Sequence, residues 1–197
     1  MPCLKRFDLL IEAFADIAPK HPDWTLRIYG AGPEKGPLQQ LIEKHGLGAQ
    51  AALLGVVSPI EPEFAKASVV ASASNAESFG MTLVEAMRCG VPVVSTNCPL
   101  GPAEIIRDGV DGRLVPVGDR QALSTALADL IADEPGHRRM GRAARRAAHR
   151  YDPERIVDTY EDLFAELATT RKTRARQRSK ARSRAMAARL VRRLGGR

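Results

Sequence analysis

Cysteine is scarce in this chain, and what little there is forms no pattern. Cys3, Cys89 and Cys98 make no CxxC pair. An odd count without a framework excludes a disulfide scaffold and fits a reducing compartment such as the cytoplasm. The histidines (His21, His45, His137, His149) are scattered, and neither HExxH nor D-x-D occurs. No metal is therefore expected. No apolar run approaches the roughly 20 residues of a membrane span. The opening stretch "MPCLKRFDLLIEAF" has charges inside its apolar pattern. It reads as an amphipathic helix rather than a secretory signal. Acidic residues are absent from 169–197, a stretch that holds 12 of the 30 basic residues. The other 168 residues carry 18 basic and 23 acidic groups, a net charge of −5. The overall +7 thus describes a tail on a mildly acidic body.

What is present in the body is an alternation of strand and helix signals. Helical spacing marks 8–18, 38–46 and 80–90, the last two ending on Gly46 and Gly90. A short helix is expected at 61–67 and a turn or two at 102–109. Apolar or β-rich runs mark strands at 25–30, 51–57, 68–73, 91–96 and 112–117. Three helices follow, at 119–133, 136–150 and 153–168. The order predicts an α/β fold, a Rossmann-like parallel sheet with helices on both faces, then C-terminal helices. Strand runs without strict alternation agree with a sheet covered on both sides. The domains are read as 1–168, followed by a basic tail, 169–197.

In such a sheet, ligands bind beyond the carboxyl ends of the strands. The loops expected there are "GAGPEKG" (30–36), "GVVSP" (55–59), "SASNAESFG" (72–80) and "TNCPLGPAE" (96–104). The third of them opens the segment "ESFGMTLVE", which has Glu77 and Glu85 eight positions apart. Gly80 lets a ligand approach the backbone, and free amides at a helix start attract anions. A phosphate would sit on the amides of Phe79, Gly80 and Met81. The two carboxylates would repel phosphate but suit neutral hydroxyls. A sugar nucleotide, with a diphosphate between two polyols, matches that arrangement. Alone, each feature has a plainer reading. Glu85 suits a solvated helix face, Glu77 a loop charge, Lys5 a surface lysine, and Gly30 with Gly32 a tight turn. "GAGPEKG" also misses the G-x-G-x-x-G fingerprint by one residue.

Taken together, the E-x7-E pair, "SNAESFGMTLVEAMRCGVPVVST" and "GPAEIIRDGVDGRLVPVGD" closely resemble the C-terminal half of family 4 glycosyltransferases, from about Lys5 to Phe164. Those are retaining enzymes of the GT-B fold, with two Rossmann-like domains facing a cleft. The resemblance implies hexosyl transfer from a UDP- or GDP-sugar to a glycan or lipid-linked acceptor, without a cofactor. It implies Glu85 on the ribose hydroxyls and Glu77 on the donor sugar. Ser78, Phe79, Gly80 and Met81 fall on phosphate and sugar contacts, Gly30 and Gly32 on the GxGP turn, and Val56 and Val57 beside the base. It pairs Lys5 with the diphosphate, and makes Lys5 and Glu77 the catalytic candidates. Arg6 stands where the family's "K-G-F-D-L-L" run has glycine. The family also has an N-terminal acceptor domain, and a strand bearing a second diphosphate-binding arginine just before "PCLKRF". The family's last helices cross back onto that domain. The chain is therefore expected to be half of an enzyme, not competent for transfer alone.

The tail "RKTRARQRSKARSRAMAARLVRRLGGR" suits a solvated, disordered or helical segment. A second reading is a peripheral anchor on anionic lipid at the inner membrane face. Nucleic-acid binding lacks interleaved aromatics. Two rival functions stand beside transfer: a non-catalytic nucleotide-sugar-binding fragment, and a surface-binding protein acting through this tail.

Overall fold

The structure is a computed structural model that describes residues 4–171. The chain divides into two compact units, Met1–Arg150 and Tyr151–Arg197. The basic tail therefore lies outside the described residues except for 169–171, and so do the membrane and nucleic-acid readings placed on it.

The first unit alternates helices and strands in the expected order. It runs α1 (Phe7–Ile17), β1 (Leu26–Tyr29), α2 (Lys35–Lys44), β2 (Ala51–Gly55), α3 (Glu61–Phe64), β3 (Val70–Ser72), α4 (Met81–Arg88), β4 (Val93–Thr96), α5 (Pro102–Ile105), β5 (Gly112–Val115), α6 (Arg120–Ala132) and α7 (Glu134–Ala148). All paired strands are parallel. Successive residues of a strand face opposite sides of the sheet, and β4 uses both sides, with all four of its residues buried. Val94 joins the core built on Leu10, Ile11 and Phe14 of α1 and Leu123 of α6. Val93 lies against Gly112 of β5. On that second side α4 packs with α3, α5 and α7.

The sheet differs from the expectation of one continuous layer. It is in two sections, β1-β2 and β3-β4-β5. Neither β1 nor β3 pairs with the other. Both instead line one cavity of about 720 Å³. Strand β3 is only half-buried along its length, where its neighbour β4 is fully buried. Pairing between sections is a long-range event that apolar runs do not report, so the sequence pattern reads the same with or without the gap.

Arg6, just before α1, has φ 47° and ψ 46°, the left-handed region. That conformation costs a residue with a Cβ about 1–2 kcal/mol. Its guanidinium pairs with Asp8 at 3.0 Å, which as a partly exposed pair returns about 0–1 kcal/mol. Glycine adopts that backbone without the strain, so Arg6→Gly is expected to raise Tm by about 2–4 °C. A thermal melt checks this. An unchanged or lower Tm would show that the pair matters more than the backbone.

In the second unit, residues 153–171 are helical. Ile156, Val157, Tyr160, Leu163, Phe164 and Leu167 recur at helical spacing along one stripe, and all are exposed. The Tyr160 and Phe164 rings lie 6.1 Å apart, one turn from each other. No helix among the described residues is long and apolar enough to cross a membrane.

Candidate active site

The cavity between β1 and β3 opens where the carboxyl-end loops converge. Lys5, Gly30, Val56, Val57, Glu77, Gly80 and Glu85 all line it. Gly32, Ser78, Phe79 and Met81 do not. Loop 72–80 brings Glu77 in from the end of β3, and α4 carries Glu85 from the same segment. Gly30 is fixed by its amide, which donates to the Gly55 carbonyl at 2.7 Å and ties the ends of β1 and β2 together.

Two glycines shape the loop that starts α4. Gly80 precedes the helix at φ 110°. A Cβ there would stand 3.1 Å from Ile105 Cδ1 and 3.2 Å from Leu83 Cδ1. Gly101, at φ 121°, presses against the backbone of Phe79, and a Cβ on it would fall on the Phe79 carbonyl oxygen. Loop 97–101 thus clamps loop 77–80 by backbone contact. The amide of Leu83 is taken by the Gly80 carbonyl at 2.9 Å. Those of Met81 and Thr82 belong to the first turn, whose N–H groups have no acceptor within a helix. Thr82 lines the cavity beside them.

The two glutamates differ in their surroundings. Glu77 has only 13% of its side chain exposed. Lys5 Nζ donates to its Oε1 at 2.7 Å and its Oε2 at 2.9 Å, and Ser74 Oγ donates to Oε1 at 2.7 Å. The side chain of Glu85, half-buried, carries no hydrogen bond or ion pair among the described residues and faces the cavity as an open acceptor. An ammonium has three protons, so Lys5 keeps one beyond the two it gives to Glu77. On the far wall, Tyr29 Oη donates to Glu63 Oε2 at 2.8 Å. The hydrogen bonds from Lys66 and Tyr29 hold the Glu63 carboxyl below its ordinary range, and the Glu63 bond raises the Tyr29 phenol.

Sequence reasoning missed Ser74, Thr82 and the Tyr29–Glu63 pair. Ser74 had a signal, since "SNAE" has the S-x-x-E spacing at which a serine and an acid meet in a tight turn. The other residues had none. Cys89 and Cys98 are free thiols. Burial, and after it the charge of Glu77, pushes the Cys98 thiol up, which makes it a packing residue rather than a nucleophile. Among the described residues, no group of three His, Cys, Asp or Glu side chains is placed to hold a metal ion.

The chain is similar in sequence and fold to known proteins. The glycosyl transferases group 1 family matches residues 3–147. This chain belongs to that family. An exopolysaccharide phosphotransferase of Streptomyces coelicolor is 40% identical over 158 residues, 80% of this chain but 17% of its own length. A variant of TarM from S. aureus, crystallised with fondaparinux, alpha-GlcNAc-glycerol and UDP, superposes with a TM-score of 0.77 at 27% identity, over 83% of this chain and 34% of that one. The C-terminal domain of a glycosyl transferase group 1 family protein from Francisella tularensis superposes with a TM-score of 0.69 at 28% identity, over 74% of this chain and 78% of that one. The α/β layers described above are those of GT-B glycosyltransferases. This group 1 glycosyltransferase chain spans between 17% and 42% of the length of the first curated relatives it matches.

Proposed function

We propose that the chain is the C-terminal, donor-binding half of a retaining hexosyltransferase of family 4, and that the cavity beside α4 holds a nucleoside-diphosphate sugar. The observation that carries this reading is the convergence of Glu77, Glu85, Lys5 and the start of α4 on one cavity. Glu85, unengaged, takes the ribose hydroxyls. Glu77 takes the hexosyl group. The diphosphate lies between them on the first-turn amides of α4 and the third Lys5 proton, with the helix dipole of the same sign. Val56 and Val57, exposed at the end of β2, flank the base.

In transfer, negative charge develops on the departing diphosphate. Lys5 and the helix start stabilise it where it forms, and this reading asks no metal or cofactor to balance it. Positioning of donor and acceptor supplies much of the rest. Retention is proposed from the resemblance to family 4; the TarM variant was crystallised with UDP and alpha-GlcNAc-glycerol together. The acceptor, a glycan or lipid-linked chain, is assigned to the rest of the protein. Phosphotransfer, in the name of the S. coelicolor relative, concerns a protein of which this chain matches 17%. A cytoplasmic site, with the basic tail on the inner membrane face, completes the proposal.

The divided sheet supports incompleteness. Strands β1 and β3 each pair on one side only, so each has an edge to which a further parallel strand could add and join the two sections into one sheet. The Asn75 amide already donates to the Leu4 carbonyl at 2.8 Å, so the chain leading into α1 passes the carboxyl end of β3. Extending the chain N-terminally with a six-residue β-branched strand is expected to raise Tm by roughly 5–10 °C, while a Gly/Ser extension of equal length leaves it unchanged. Equal melts for the two would remove this support. Transfer itself is tested by fusing the chain to the N-terminal half of a group 1 relative. The anomeric configuration of the product is then read by NMR, with α-product from an α-donor expected. A β-product would overturn retention, and nucleotide binding without any product would favour a non-catalytic binding fragment.

A further inference from the structure

Glu77 is held from two sides, and the sides are unequal. Lys5 reaches it on a long stem with 51% of its side chain exposed, and such a stem keeps much rotamer freedom. Ser74 reaches it from a loop position that is 1% exposed. The Ser74 backbone is itself fixed, because Thr96 Oγ1 of β4, fully buried, donates to the Ser74 carbonyl at 2.5 Å. A serine hydroxyl has one proton. With that proton on Glu77 Oε1 at 2.7 Å, the contact between Ser74 Oγ and Ser72 Oγ at 3.2 Å has Ser72 as donor. The hydroxyls therefore run in one direction, from Ser72 through Ser74 to Glu77, and start inside the sheet.

The acceptor count on Glu77 then decides what it can still do. A carboxylate offers about four lone-pair sites. Ser74 and Lys5 occupy two on Oε1, and Lys5 occupies one on Oε2. One site on Oε2 remains, on a side chain that lines the cavity.

We infer that Ser74 is a positioning residue that aims the free lone pair of Glu77 Oε2 at a single hydroxyl of the donor's hexosyl group, and so sets the preference for a nucleotide sugar over the bare nucleotide. This rests on the donor-site reading above. Ser74 itself touches no substrate in this scheme. Without its hydroxyl, Glu77 is left with Lys5 alone and follows that side chain toward solvent.

The test uses the full chain and calorimetric titration with UDP and UDP-glucose, with GDP and GDP-glucose in parallel. Ser74→Ala is expected to weaken the glucose conjugate about tenfold, the scale of one hydrogen bond to a charged group, and the bare nucleotide less than about twofold. In a Glu77→Ala background the same Ser74 change is expected to have no effect, because the group it positions is gone. A purely structural role would weaken both ligands together and would persist without Glu77. Either of those outcomes, or an unchanged conjugate affinity, overturns the inference. Wild-type chain that binds neither ligand overturns the donor-site reading and this inference with it. Should Ser74→Ala fail to fold, as judged by its melt, Ser74→Cys keeps a side chain of similar shape with a weak donor and is expected to give the same selective loss.

Discussion

Gly101→Ala is expected to lower the stability of the chain by about 3 kcal/mol or more and to abolish nucleotide binding with it. Two effects act together. Gly101 sits at φ 121°, where an alanine is strained whatever space surrounds it. A Cβ there would also land on the Phe79 carbonyl oxygen, so backbone must move rather than a flexible side-chain tip. The segment that moves is the loop between Glu77 and α4. Gly32→Ala is the matched control. Nothing lies within 4 Å of a Cβ built on Gly32, and the change is expected to stay within about 0.5 kcal/mol. Chemical denaturation of the two variants checks both values. A Gly101→Ala protein as stable as the Gly32→Ala protein would show that loop 97–101 does not clamp the site.

Glu85→Ala is expected to weaken nucleotide binding by about tenfold to a hundredfold, with little change in stability. Its carboxylate has no protein partner among the described residues, so nothing in the fold depends on it. A carboxylate accepting ribose hydroxyls contributes on the scale of charged hydrogen bonds, about 1.5–3 kcal/mol. Glu85→Gln keeps the shape and one acceptor oxygen, and should fall between the two. Binding titrations of the three proteins give the order. Equal affinity across the series would remove Glu85 from the site.

Local chemistry made most of the elements readable. Helix α2 ends as its sequence suggests: Gly46 lies at φ 67°, and the Leu47 amide reaches back to the Ile42 carbonyl at 2.9 Å. Gly90 closes α4 in the same manner, with the Val91 amide on the Ala86 carbonyl at 3.2 Å. Such caps depend on five or six neighbouring residues, which a sequence displays directly. The E-x7-E pair was readable for the same reason, since strand, loop and helix are consecutive.

Relations between distant segments were not readable. Lys5 and Glu77 are 72 positions apart and meet where the chain leading into α1 passes the carboxyl end of β3. The Gly101–Phe79 contact joins two loops of different crossovers. The division of the sheet lies in which edges pair, not in any strand's own residues. Arg6 carries a left-handed backbone that no propensity assigns to arginine. It stands where the resembled run has glycine, and the geometry explains why glycine suits that position.

The central claim is that one cavity, edged by Glu77 and Glu85, binds a nucleotide sugar. Isothermal titration of the purified chain with UDP, GDP, ADP and their glucose conjugates, beside Glu85→Ala, tests it most directly. The account predicts saturable one-to-one binding of one nucleotide and its conjugate, strongly reduced in the variant. A folded chain that binds none of them, or binds one equally well without Glu85, would contradict it.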